Sequence, residues 1–203
     1  MALGTLADIK TAALDELDRS DLSTFTNDFV TFAEGHFNRR IRHRKMVTTA
    51  TLSPTSNVYT LPTDYLYATR VVELRSIRRE LNYVTPGYVD QAYPDRASGL
   101  PQDYTIIGSN LMVYPYTSND VEITYYQKIP TLISNDPNWL LTECPQLYLR
   151  GIQVEALSFI NETDTSRFQF IAQMTARLVE ELNDQSEMAL YANASIRVKG
   201  NTP

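Results

Sequence analysis

Five of the nine residues in NRRIRHRKM, Asn38 to Met46, are Lys or Arg. A run of this kind can bind phosphate or pair with protein carboxylates, and otherwise it is simply solvated. Two histidines, His36 and His43, stand seven residues apart at the same place. As metal ligands they would need carboxylate partners nearby, and they lie two turns from one another, so they read as helix-surface histidines. Cys144 sits between Glu143 and Pro145 at a predicted helix start. A helix N-terminus lowers a thiol pKa, but nothing marks a histidine as its base, and the residue reads as structural. Glu180, Glu181, Asp184 and Glu187 crowd one predicted helix. Counting carboxylates leaves a glycosidase pair open, yet a charge run on a helix is ordinarily a solvated or subunit-facing surface. The P-loop, Gly-X-Gly-X-X-Gly, His-Glu-X-X-His and Gly-X-Ser-X-Gly patterns are absent. With seven glycines, little is left for phosphate-cradling loops.

The elements that carry these residues follow from periodicity. TLADIKTAALDEL predicts a helix capped by Thr5, with Asp8 in the capping-box position and Leu6, Ile9, Ala13, Leu14 and Leu17 as its apolar stripe. A second helix is predicted from about Thr24 to His43, its stripe being Phe25, Phe29, Phe32, Ala33, Phe37 and Ile41. The basic run then falls at a helix end, where cations favour the negative pole of the dipole. From Met46 the period changes to alternation. MVTTATL, RRELNYV and VEITYYQKIP read as strands, and YTIIGSNLMVYP reads as a hairpin across Gly108-Ser109-Asn110. TPGYVDQAY reads as a small helix with Thr85 as cap and Pro86 in its first position. Helices return from about Pro145 to Ile160 and from Asp164 to about Tyr191, the last with Phe168, Ile171, Met174, Leu178 and Leu182 inward.

The expected fold is therefore α+β. Residues 1–45 and 131–191 form a helical bundle, a small antiparallel β subdomain of residues 46–130 is inserted between them, and residues 192–203 form an extended tail free to reach a neighbour.

Composition narrows the function. The 203 residues carry 43% hydrophobic and 21% charged side chains, an ordinary globular balance. One cysteine excludes an intrachain disulfide and a Cys-based zinc site. The start lacks a signal-peptide pattern and no stretch approaches membrane-spanning length, so a soluble, cytoplasmically made protein is expected. Net charge is -6, which argues against a basic DNA-binding domain. The charge is segregated: +5 over Asn38 to Met46, against nine acids and three bases over residues 131–190. Separated faces of opposite sign suit binding between copies of one chain. Thirteen tyrosines fit an assembly protein as well.

The segments TLPTDYLYATRVVEL, RRELNYVTPGYVDQAY, ASGLPQDYTIIGSNLMVYPYTSNDVEITYYQKIPTL and NDPNWLLTECPQLYLRGIQVEALSFI follow in order. With the opening MALGTLADIK and the helix FVTFAEGHFNRRIRHRKM, the series resembles the tailed-bacteriophage head-to-tail adaptor (connector) proteins over nearly all of residues 1–190. It departs from them at Arg150, where an aromatic or apolar residue is expected. The resemblance implies a structural virion protein at the head–tail neck, without catalysis, cofactor or membrane. Copies would form a dodecameric ring beneath the portal protein and extend the channel through which double-stranded DNA passes without sequence-specific binding. The ring would also dock a nozzle or tail-tube protein.

On that reading Arg39, Arg40, Arg42, Arg44 and Lys45 form an assembly interface. Ile196, Arg197, Val198 and Lys199 form a portal-binding tail, and Tyr114, Tyr116, Tyr125 and Tyr126 form tail-docking β hairpins. Two other classes stay open: a tail-associated cell-wall hydrolase, marked by a cleft with two close carboxylates, and a nucleic-acid-binding module, marked by salt-dependent DNA retention.

Overall fold

The structure, a computed structural model, describes residues 3–161 and 164–191. It is α+β, as the patterning implies. The chain divides into two units, one built from the residues before Lys45 and after Lys128, the other from Lys45–Lys128.

The first unit is helical. Helix α1, Leu6–Leu17, opens on the Thr5–Asp8 capping box, and the Leu6 N–H donates to both carboxylate oxygens of Asp136 at 3.0 Å. Its buried face is Ile9, Ala12, Ala13, Leu14 and Leu17. It stops at Asp18, whose φ of 57° is left-handed. A 3-10 turn, Ser20–Phe25, leads into α2, Thr26–Arg40. Three helices complete the unit: α4, Trp139–Glu143, α5, Pro145–Phe159, and α6, Thr165–Tyr191. Helix α5 is the hub, packed against α1, α2 and α6. It can be approached closely because residue 151 is Gly: a Cβ there would lie 2.7 Å from Phe37 Cζ and 3.1 Å from Ala33 Cβ.

A buried polar knot fixes the returning chain to these helices. Glu34 Oε1 accepts the Leu132 N–H at 2.6 Å and the Tyr148 hydroxyl at 3.0 Å. Asn138 Nδ2 donates to Tyr148 Oη at 2.6 Å and to the Pro130 carbonyl at 2.7 Å, while its Oδ1 caps α4 through the Leu141 N–H. Burial, then the Glu34 charge, pushes the Tyr148 hydroxyl pKa far up, so the tyrosine stays a donor.

The second unit holds two four-stranded sheets and a short helix. The strands are β1 (Val47–Leu52), β2 (Tyr59–Thr60), β3 (Tyr65–Glu73), β4 (Arg79–Glu80), β5 (Asn82–Tyr83), β6 (Asp103–Ile107), β7 (Asn110–Tyr114) and β8 (Val121–Gln127), and α3 is Pro86–Ala92. The sheet orders are β1-β8-β3-β4 and β2-β7-β6-β5. All pairs are antiparallel except β5 with β6. The core includes Tyr59, Val71, Leu81, Leu111, Ile123 and Tyr125.

The predicted strand RRELNYV is two strands in different sheets, because Leu81 between them is buried in that core. The predicted hairpin is β6–β7. Asn110 belongs to the strand and pairs with Ile107, leaving a two-residue loop with Gly108 at φ +62°.

Three expectations in the helical unit change. The second helix ends at Arg40, not His43, because Ile41 is extended and buries its side chain. Phe29 and Phe37 face inward, but Phe25 and Phe32 are exposed. On α6 the buried positions are Ile171, Val179, Leu182 and Ser186, while Phe168, Met174 and Leu178 are half-buried.

Candidate assembly surfaces

The basic run does not continue α2; it forms the turn that ends it. Arg39 and Arg40 lie exposed in the last helical turn, where the unpaired carbonyls make cations favourable. Arg42 closes the end. Its guanidinium donates to the carbonyls of Asn38 at 3.0 Å, Ile41 at 2.5 Å and Arg39 at 3.1 Å. The turn is tied to α6 by backbone bonds: Arg42 N–H to Asn183 Oδ1 at 2.7 Å, Asn183 Nδ2 to the Arg40 carbonyl at 3.1 Å, and Arg44 N–H to Ser186 Oγ at 2.8 Å. Arg44 and Lys45 are exposed in a following 3-10 turn, Arg44–Met46. Among the described residues Arg39, Arg40 and Arg44 make no ion pair. Arg42 is a helix cap as much as a surface charge.

On α6, Glu180, Glu181, Asp184 and Glu187 are all exposed. Glu181 holds Arg177 at 2.8 Å, and the other three make no ion pair among the described residues. Two sets of charges of opposite sign are thus left open on the same unit.

The other candidates sort as follows. His36 is exposed, with its Nε2 3.4 Å from Glu155 Oε1 and its Nδ1 3.2 Å from Arg39. His43 is not a helix-surface residue: it lies beyond the helix end, buried and stacked on Trp139 with ring centroids 5.1 Å apart. Cys144 is half-buried, and burial pushes its thiol pKa up, opposite to what an activated nucleophile needs. Among the described residues no three His, Cys, Asp or Glu side chains gather to hold a metal. Arg150, where an apolar residue was expected, reaches Glu16 Oε2 and Gln153 Oε1, each at 2.7 Å, and so sits at the surface of α5.

The tyrosine set needs correction. Tyr114 and Tyr125 are buried, Tyr125 donating to Asp64 at 3.0 Å and Tyr114 taking a bond from Arg96 at 2.6 Å. Alternation puts Tyr125 into the core with Val121 and Ile123, whereas Tyr114 lies on the face opposite Leu111 and Val113 and is covered there by Tyr93, Tyr116 and Arg96, so neither can present a docking surface in this fold. Tyr116 is half-buried against Tyr114, and Tyr126 is half-buried and stacks on Tyr67 at 4.8 Å. The large apolar groups that do face out of this unit are Val47, Ile77, Tyr83, Tyr88, Leu100 and Ile107. Ile77 lies between Arg75 and Arg78 in a loop whose base is pinned by Arg75 to the fully buried Glu73 at 3.1 Å. Sequence reasoning passed over it because an isolated apolar residue in a basic loop carries no period. The tail residues Ile196, Arg197, Val198 and Lys199 lie outside the described residues.

A groove of about 210 Å³ opens between α2, α5 and α6, walled by small residues such as Ala33, Gly151, Ala172 and Ala176 and edged by His36, Arg40 and Glu155. It holds one carboxylate, and so lacks the acid pair of a glycosidase cleft.

The SU10 adaptor protein family profile matches residues 4–199, nearly the whole chain. No curated protein matches it.

Proposed function

Because the chain belongs to the SU10 adaptor protein family, a family of phage head-to-tail adaptors, we propose that its copies close into a dodecameric ring beneath the portal, extend the DNA channel and dock the tail. Membership makes it a bacteriophage structural protein and a virion component, and implies contact with portal and tail proteins. No helix among the described residues is long and apolar enough to cross a membrane.

The observation that carries the ring is the pair of open charge sets on one unit. Among the described residues, three arginines at the end of α2 and three acids on α6 make no ion pair. A single exposed pair contributes about 0.2–1 kcal/mol. A ring repeats each contact around its circumference, so small terms accumulate and set the register between neighbours. With a net charge of -6, an acidic face lining the channel would repel phosphate and let DNA slide. Residues 192–203, with Arg197 and Lys199, are the proposed reach onto the portal.

The test is charge reversal. Arg39, Arg40 and Arg44 become Glu together, and Arg42 is spared because it caps the helix. Ring formation on the portal and DNA retention in assembled particles are then measured separately. The reading expects rings to fail. Normal rings with altered DNA retention would move the turn into the channel.

A further inference from the structure

Two stripes in the helical unit share one period. On α2 and the turn before it, Phe25, Phe32 and Arg39 recur every seven residues, and on α6 so do Phe170, Arg177 and Asp184. Seven residues is close to two helical turns, so each trio lies along one side of its helix. Both stripes face out: Phe25 is 41%, Phe32 57% and Phe170 62% exposed. Arg39, Arg177 and Asp184 are exposed as well. Exposed phenylalanines in line on a helix are an apolar surface with nothing over it. Phe25 extends this surface onto α5 through Phe159, 5.1 Å between ring centroids and itself exposed.

We infer that the α2 stripe is a copy-to-copy docking face, and that its occupant is the α6 stripe of a second copy. The inference rests on the ring reading above and names its contact. Paired in order, the stripes give aromatic to aromatic (Phe25 with Phe170), aromatic to cation (Phe32 with Arg177) and cation to anion (Arg39 with Asp184). Reversing one stripe would set Arg39 against Phe170 and leave Asp184 facing Phe25, so the order is specific.

The fold supplies the register. Helix α2 runs antiparallel to α5, since Phe29 meets Phe159 at 5.6 Å and Phe37 meets Tyr148 at 5.5 Å. Helix α6 returns after a short connection, so α2 and α6 run the same way. Their relative level is fixed by the bonds at the turn, which join residues 141, 142 and 143 apart in sequence. Arg39 therefore stands level with residues 180–182, between Glu180 and Asp184. Phe32 and Phe25 fall within about one turn of Arg177 and Phe170.

In a ring whose axis runs along these helices, rotation leaves height unchanged, so levels measured inside one chain hold between neighbours. Each paired residue then lies about three positions from its partner's level, a gap of roughly 4.5 Å that is less than one turn and within reach of these side chains. The contact joins two different faces, as a head-to-tail ring requires.

The experiment uses single cysteines in full-length chains whose only native cysteine is removed by Cys144→Ser. One chain carries Arg39→Cys and the other Asp184→Cys, and both are supplied together during particle assembly. Because neither chain holds two cysteines, a mixed disulfide dimer can form only between copies. The expected result is a mixed dimer on oxidation that is lost when either variant is supplied alone. Rings seen by electron microscopy without the mixed dimer would overturn the docking face and leave the ring reading standing. Folded chains, by circular dichroism, that are never found as multimers would overturn both. A second arm uses charge: Arg39→Asp should lower ring yield about tenfold, and adding Asp184→Arg should restore it. Failure of the second change to restore rings that the first abolished would also overturn the pairing.

Discussion

Glu34 is the strongest test of how the helical unit holds together. Replacing it by Ala removes a buried carboxylate oxygen that accepts two bonds, the Leu132 N–H at 2.6 Å and the Tyr148 hydroxyl at 3.0 Å. Hydrogen bonds to a charged acceptor contribute about 1.5–3 kcal/mol each, and both donors would be left buried without a partner. Removing a 6% exposed carboxylate recovers part of its desolvation cost, so the net loss should be about 3 kcal/mol. Glu34→Gln keeps an acceptor oxygen and should lose about 1 kcal/mol, and Tyr148→Phe about 1–2 kcal/mol. The assay is urea unfolding followed by the fluorescence of Trp139, the single tryptophan, which stacks on His43 in the same unit. A Glu34→Ala protein within about 0.5 kcal/mol of the parent, or a Gln variant as damaged as the Ala variant, would refute the reasoning.

Two further outcomes are expected. Gly151→Ala gains about 1 kcal/mol of helix propensity but drives a methyl to 2.7 Å from Phe37, an overpacking cost of about 1–3 kcal/mol, so its melting temperature should fall by about 2–4 °C; a rise would mean Phe37 moves aside freely. Tyr59 and Tyr125 are pushed up from 10 to about 12, chiefly by burial. The fold favours their neutral forms, so this stabilisation is complete below pH 10 and is lost as pH rises through 12. Phenolate absorbance should therefore rise in two steps, the second coinciding with unfolding, and a single step near 10 would contradict it.

Local chemistry was readable where one residue type dictates one geometry. The Thr5–Asp8 box, Thr85 with Pro86, and the Gly108 turn were each legible because the cap or the positive φ admits few residues. The family resemblance was legible from the order of segments. Long-range placement was not. The stop of α2 at Arg40 depends on Ile41 finding a buried site and on Asn183, distant in sequence, taking the freed backbone groups. Tyr114 and Tyr125 were misplaced because tyrosine is amphipathic: strand pairing turns Tyr125 into the core, and Tyr114 is covered on the other face by Tyr93, Tyr116 and Arg96, contacts no local pattern reveals. The split of RRELNYV at Leu81 reflects two sheets that a seven-residue window cannot distinguish.

The most direct measurement is electron microscopy of the purified chain mixed with its portal. The adaptor reading predicts a closed ring of copies seated on one face of the portal, twelve to a ring if the dodecamer holds. Portals that remain bare, or that carry isolated copies with no contact between neighbours, would contradict it.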